Sequence, residues 1–338
     1  MRPRLNPGRG RLGALLALVL VAPVLAACSN PVGSTSVRTL AWVTTGGSVT
    51  LPGMDVTPVN LATRRVKPKV PVGSLPSALA YTAGDKGLLV VTQGDDMLHE
   101  IDPATHDVVH SVAVGVEPDA VAVAPGGTGG KGIALVANLD SNSVTPVDLG
   151  TWHAGPSIPV GTQPVAVAVA IPSSGAATAF VADFGSNEVT PIDLSTMQAG
   201  ANIPVGPGPQ AIAAASGQVL VGNFGNRTLT PINASTFQPA AAVALPLNPT
   251  AMATNPSGTT VYVCGGAALV PVTVFGLVVH GAIALPDVAQ GIALTPDGST
   301  AWVTQQAGTL VPVTLASTTS GRPIRMGGHP SAIVIGAG

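Results

Sequence analysis

Charge is scarce in this chain. Of 338 residues, 9% are Asp, Glu, Lys or Arg, against roughly 25% in an average soluble domain. A catalytic centre built from several convergent titratable groups therefore has little to draw on. Aromatic residues make up 3%, so the core is left to Val, Ala, Leu and Ile. Tryptophan occurs only as Trp42, Trp152 and Trp302, too few for a dock of stacked indoles around a flat cofactor, and no cofactor is expected. Basic residues cluster only at Arg64, Arg65, Lys67 and Lys69. Nucleic acid binding needs several phosphate-neutralising bases on one face, and that class of partner is excluded. Cysteine occurs twice, as Cys28 and Cys264. Beyond residue 28 no segment approaches the ~18 unbroken apolar residues of a membrane span.

What is present begins with the first 28 residues. Arg2, Arg4, Arg9 and Arg11 precede an apolar run from Leu12 to Ala27. A basic start followed by a short apolar stretch reads as a secretory signal peptide, 1–27. Without it, ten bases face sixteen acids, a net of −6. Residues 28–36 are small, polar and rich in breakers, and read as a tether.

From residue 37 to 338 the chain is one repeat written seven times. One half ends Thr-Pro-Val-Asp or a variant, with its slot filled by Pro58, Glu100, Pro146, Pro191, Pro231, Pro271 and Pro312. The other half is a turn, Val-Gly-x-x-Pro-x-Ala-Val-Ala, starting at Gly73, Gly115, Gly161, Gly206, Pro246, Pro286 and Gly327. Each turn starts 15 residues after its slot. Short strands and turns repeating every ~40–46 residues mark the blades of a β-propeller. The expected fold is all-β: seven four-stranded antiparallel blades with strands a to d running outward from the axis. Strand c carries Thr-Pro-Val-Asp, and its prolines are expected at bulges or at the first paired residue. The first copy lacks a strand a, and Pro330–Ile335 supplies one with nothing after it. The C-terminal strand is therefore expected to complete the first blade and close the ring.

Two resemblances follow from these residues. Leu25-Ala26-Ala27-Cys28 resembles the bacterial lipobox, which implies cleavage before Cys28 and its lipidation with a diacylglyceryl group, often with a further acyl chain such as palmitate. More than one chain suffices for stable anchoring. That resemblance places the protein on the outer, extracytoplasmic face of the cell membrane, held through Cys28 alone. It also leaves Cys264 without a disulfide partner. The ends of strand b, Val-Thr-Thr (43–45), Val-Thr-Gln (91–93), Val-Ala-Asn (136–138), Val-Ala-Asp (181–183) and their counterparts, precede Ile/Val-Asp-Leu by about fourteen residues. In this the chain resembles the YVTN family of β-propeller repeats, although no strand reads Tyr-Val-Thr-Asn in full. That family is functionally mixed, so the resemblance implies the fold and no activity.

The d-to-a turns and b-to-c hairpins of a propeller share one face, where ligands approach the axis. The turn positions flanking the Pro slot there include Ser77, Gln163, Gln210, Asn248 and Gln290, candidate binding residues. Of the fourteen flanking positions only Glu117, Asp119 and His329 ionise. They form either solvated turns or a small polar site with His329 as base and a carboxylate orienting it. Phe184 and Phe224 stand on hairpin tips, either as a contact patch or folded over the seam between blades. The six histidines are scattered, and no metal set stands out. The function expected is binding or scaffolding for a protein or a cell-envelope polymer. The alternative is a lactonase-like hydrolase or lyase using the same face.

Overall fold

The computed structural model describes residues 39–46, 53–84, 86–172 and 177–337. The signal peptide, Cys28 and the tether lie outside the described residues. Seven antiparallel sheets account for nearly all of the rest. Blade 2 shows the plan, with strand a at Pro76–Tyr81, b at Leu88–Thr92, c at Met97–Ile101 and d at Val108–Ala113. Strand b of this blade, Leu-Leu-Val-Val-Thr, is buried at every position. A strand covered on both faces reads as an unbroken apolar run, and here neighbouring blades supply both covers. No helix among the described residues is long and apolar enough to cross a membrane.

The ring closes as the sequence predicts. His329–Ala337 is strand a of blade 1 and pairs antiparallel with Thr39–Gly46, its strand b, from Thr39↔Ala337 to Gly46↔His329. Strand a of each blade packs against strand a of both neighbours, the last against the first. Small residues such as Ala78, Ala120, Ala166 and Ala211, all fully buried, let these inner strands converge on the axis. Larger side chains fill the wider seams outside them: Trp42, Phe180, Leu135 and Leu220 are fully buried on strand b. Trp42 and Trp302 occupy one slot, each facing a strand-c proline.

The strand-c prolines correct one expectation. They sit neither at bulges nor at the first paired residue but in mid-strand: Pro146 faces Leu135 and Pro191 faces Phe180 within unbroken b–c ladders. The amide and carbonyl of one residue point the same way across a sheet, and the proline carbonyl points outward. Pro146 O accepts from Gly155 N at 2.8 Å, and Pro191 O from Gly200 N at 2.7 Å. The missing N–H therefore faces strand d, which breaks there. In blade 3 strand d is two short pieces, His153–Ala154 and Ile158–Pro159. Blade 2, where Glu100 replaces proline, keeps an unbroken strand d of six residues.

Candidate functional site

Strand a begins with a β-bulge in six blades. In blade 3, Ala120 faces Ala137 and Pro118 faces Asn138, so Asp119 is the extra residue. The same shift isolates Ser77, Val165, Gln210, Gln290 and Ser331. A bulge re-aims the side chain of its extra residue, and here it sets one such residue in each of those six blades around the axis at the mouth face. The spacing of the turns had located these positions. The bulge that turns them was not legible, because a one-residue register shift leaves no mark on an Ala/Val alternation.

The ring is more closed on one side. Ser77, Asp119, Val165 and Gln210 of blades 2–5 are buried, whereas Gln290 and Ser331 of blades 7 and 1 are half-buried. Ser77 Oγ donates to Pro118 O in the next blade at 2.9 Å. Ser331 Oγ meets Thr44 Oγ1 at 2.7 Å. Asp119 is 2% exposed and accepts from Gln93 Nε2 at 2.7 Å. Burial, and then the nearby Glu117, push its carboxyl well above the usual carboxylate range, against the Gln93 hydrogen bond. Removing water penalises the charged form, and a second acid beside it adds to the penalty. Burial thus favours the protonated form of Asp119, the form that can donate a proton or a hydrogen bond.

The sequence candidates divide. Glu117 and Asp119 come together. His329 is exposed on blade 1 and is not among the charges acting on Asp119. Gln163 holds its turn through the backbone, its N–H donating to Asn142 Oδ1 at 2.8 Å. Asn248 Nδ2 donates to Phe224 O at 2.7 Å. Phe184 lies against the turn into blade 5, where a Cβ on Gly208 would come within 3.2 Å of its ring. Phe224 stays 39% exposed. The two tips thus differ, one folded onto the seam and one open. Cys264 is buried in the core, where burial pushes its thiol up and keeps it unreactive. His106 meets the edge of Trp42 at 5.2 Å, and His110 stacks on Trp152 at 4.8 Å.

A pocket of about 530 Å³ opens at the seam between blades 2 and 3. Ser141, Asn142, Ser143, Thr145 and Ser157 supply its polar wall, and Ala113, Val114, Ala154 and Pro159 its apolar one. No lining residue ionises. The pocket forms where strand d of blade 3 breaks at Gly155, opposite Pro146. Sequence reading missed it because its walls belong to two repeats and no motif spans them.

Sheet count, closure and the bulged polar ring define a seven-bladed β-propeller. The family description YNCE-like beta-propeller matches residues 33–218, and the chain belongs to that family. No curated protein matches it. Solved structures share the fold at low identity. A functionally unknown protein from Desulfotomaculum acetoxidans superposes with a TM-score of 0.73 at 16% identity, covering 88% of this chain and 98% of that one. A Bacteroides fragilis protein assigned provisionally as a 6-phosphogluconolactonase gives 0.70 at 16%, over 90% and 99%. Kuenenia stuttgartiensis hydrazine synthase gives 0.67 at 18%, over 78% and 90%.

Proposed function

We propose that the chain is a lipid-anchored, extracytoplasmic binding or scaffolding module of YVTN type, whose partner is a cell-envelope polymer or an envelope protein. The observation that carries the binding reading is the seam pocket. Its volume falls within the roughly 300–1,000 Å³ of small-molecule sites. Hydroxyls, one amide and small apolar groups line it without a fixed charge, which suits a neutral, hydroxyl-rich chain such as a glycan. The lipobox-like Leu25–Cys28 supports attachment at the membrane surface, where such polymers are met.

Retention of the lipidated protein on purified envelope polysaccharide tests this. Ser157→Trp, on an exposed lining position, fills the pocket and is expected to abolish retention with the thermal transition unchanged. Retention unaltered by Ser157→Trp removes the pocket from the proposal. Crosslinking in intact cells then identifies a protein partner.

A second reading has its own observation. Asp119, buried beside Glu117 with its carboxyl raised by that burial, resembles the raised acid of a hydrolase or lyase, and the Bacteroides fragilis neighbour carries a lactonase assignment. Turnover of a lactone panel that is lost in Asp119→Asn supports that reading. Equal turnover by the variant ends it.

A further inference from the structure

We infer that the face opposite the mouth is built to lie against an anionic lipid surface, so that the polar ring and the Asp119 pair point away from the membrane. This rests on the lipid-anchored reading above and adds to it which side faces the bilayer.

Three observations converge. The first is where the body takes over from the leader. Strand b of every blade starts on the far face, and in blade 1 it starts at Thr39, paired with Ala337. Ten residues separate Cys28 from Thr39, a reach of at most about 36 Å. A lipid on Cys28 is therefore joined to the folded body at its far face.

The second is charge. Among the described residues Arg64, Arg65, Lys67, Lys86, Lys131 and Arg322 lie in the far-face turns or the adjoining half of strand d, all on blades 7, 1, 2 and 3. Among the described residues six acids share that face, Glu100 beside Lys131 together with Asp102, Asp107, Asp148, Asp193 and Asp297, so bases and acids balance there. Four of them cap their own turns, as Asp148 does with Gly150 N at 2.7 Å and Asp193 with Ser195 N at 2.7 Å. The mouth has three bases, Lys69, Arg227 and Arg325, against seven exposed or half-buried acids. An anionic surface therefore repels the acid-rich mouth more than the balanced far face, whose bases gather on one arc.

The third is apolar exposure. Ile171, Phe237 and Phe275 are 58%, 38% and 62% exposed on far-face turns of blades 4, 5 and 6. They continue the circuit where the bases leave off. At the mouth the comparable residues, Met54, Val116 and Phe224, stand on turns that are not adjacent. Basic groups on one arc and apolar tips on the next are the two means by which a peripheral surface holds a bilayer.

The test uses the full lipidated chain in phosphatidylcholine vesicles with and without phosphatidylglycerol, doped with a headgroup-nitroxide lipid. Single cysteines Ile171→Cys and Phe275→Cys report the far face, and Phe224→Cys and Asp140→Cys the mouth. Each carries a fluorophore. Acylated Cys28 and buried Cys264 do not compete for the label. The far-face labels are expected to be quenched several-fold more than the mouth labels. Lys86→Glu with Lys131→Glu is expected to weaken vesicle association of the Cys28→Ala protein by about fivefold per residue when phosphatidylglycerol is present. Equal quenching of the two faces, stronger quenching at the mouth, or association indifferent to the charge reversals overturns the orientation while leaving the anchor intact. Mass spectrometry of the N-terminal peptide separates the two failures: a Cys28 without lipid overturns the anchored reading, and the orientation with it.

Discussion

The amide of Gly115 donates to Oδ1 of Asn138 at 3.1 Å, tying the turn that enters blade 3 to the end of that blade's strand b. The fit is close, since a Cβ on Gly115 would lie 2.6 Å from Cγ of Asn138. Gly206 fits as closely against Asn223, and Gly161 against Asp183. Blade 6 has Pro246 in the turn and Gly265 at the strand end. There the missing donor and the missing acceptor match. In blade 3 the two halves of the repeat are thus coupled by one hydrogen bond and one steric limit.

Gly115→Ala should destabilise the fold by about 1–3 kcal/mol through overpacking. Asn138→Gly removes the obstructing side chain but also its hydrogen bonds to Ser143 and Thr145, so the double variant should lose clearly less than the sum of the two single losses. Urea denaturation of the wild type, both single variants and the double variant gives the coupling directly. Additive losses would show that the contact does not link the two positions.

The proline slot gives an asymmetric pair of substitutions. Pro146 lacks an N–H where strand d is already broken, so Pro146→Ala should cost less than about 1 kcal/mol. Glu100 faces His110 in an unbroken strand d. Glu100→Pro removes a ladder donor and strands an acceptor, and should cost about 1–3 kcal/mol. Chemical denaturation should rank the second variant well below the first. Equal losses would contradict the link between proline and the strand-d break.

Closure predicts the consequence of losing the C-terminus. Removing residues 328–338 deletes strand a of blade 1 and bares the inner edge of Thr39–Gly46, including Trp42, now fully buried. An unpaired, flat apolar edge recruits other chains. The truncated protein should aggregate or lose its cooperative thermal transition, as size-exclusion chromatography and calorimetry would show. An unchanged melting curve would mean that ring closure contributes nothing.

Blade count, strand order and closure were legible because each copy must bury its flanks against the next, which forces one pattern of apolar residues seven times. The ring at the mouth was legible for the same reason, through the fifteen-residue spacing from slot to turn. Contacts between different repeats were not. Ser77 bonds to blade 3, the seam pocket has walls from blades 2 and 3, and neither leaves a local motif. Blade 2 also shows the limit of reading by letters. Its Val-Thr-Gln (91–93) suggests that Gln93 matches Asn138, yet Leu89 faces Glu100 as Leu135 faces Pro146. The equivalent of Asn138 is therefore Thr92, and Gln93 is free to reach Asp119.

Asp183 fills the slot that Asn138 and Asn223 fill in the neighbouring blades, and it alone there titrates. It is fully buried. Thr190 Oγ1 donates to its Oδ2 at 2.6 Å, and its Oδ1 has no hydrogen-bond partner. Burial raises its carboxyl to about 7, with the Thr190 hydrogen bond pulling the other way. The unfolded carboxyl titrates near its ordinary value of 3.8. Below that pH both states hold the proton and the group adds no pH dependence. Between about 4 and 7 the unfolded chain has released the proton and the folded chain has kept it, so stability falls as pH rises, by up to about 1.4 kcal/mol per pH unit. Above 7 both states are ionised and the loss levels off. Asp183→Asn keeps the shape, removes the titration and supplies an amide donor like that of Asn138, which gives to Thr145 Oγ1 at 3.0 Å. The variant should melt higher than wild type at pH 8, and the advantage should shrink steadily towards pH 4. An advantage of the same size at both pH values would show that Asp183 does not titrate between them.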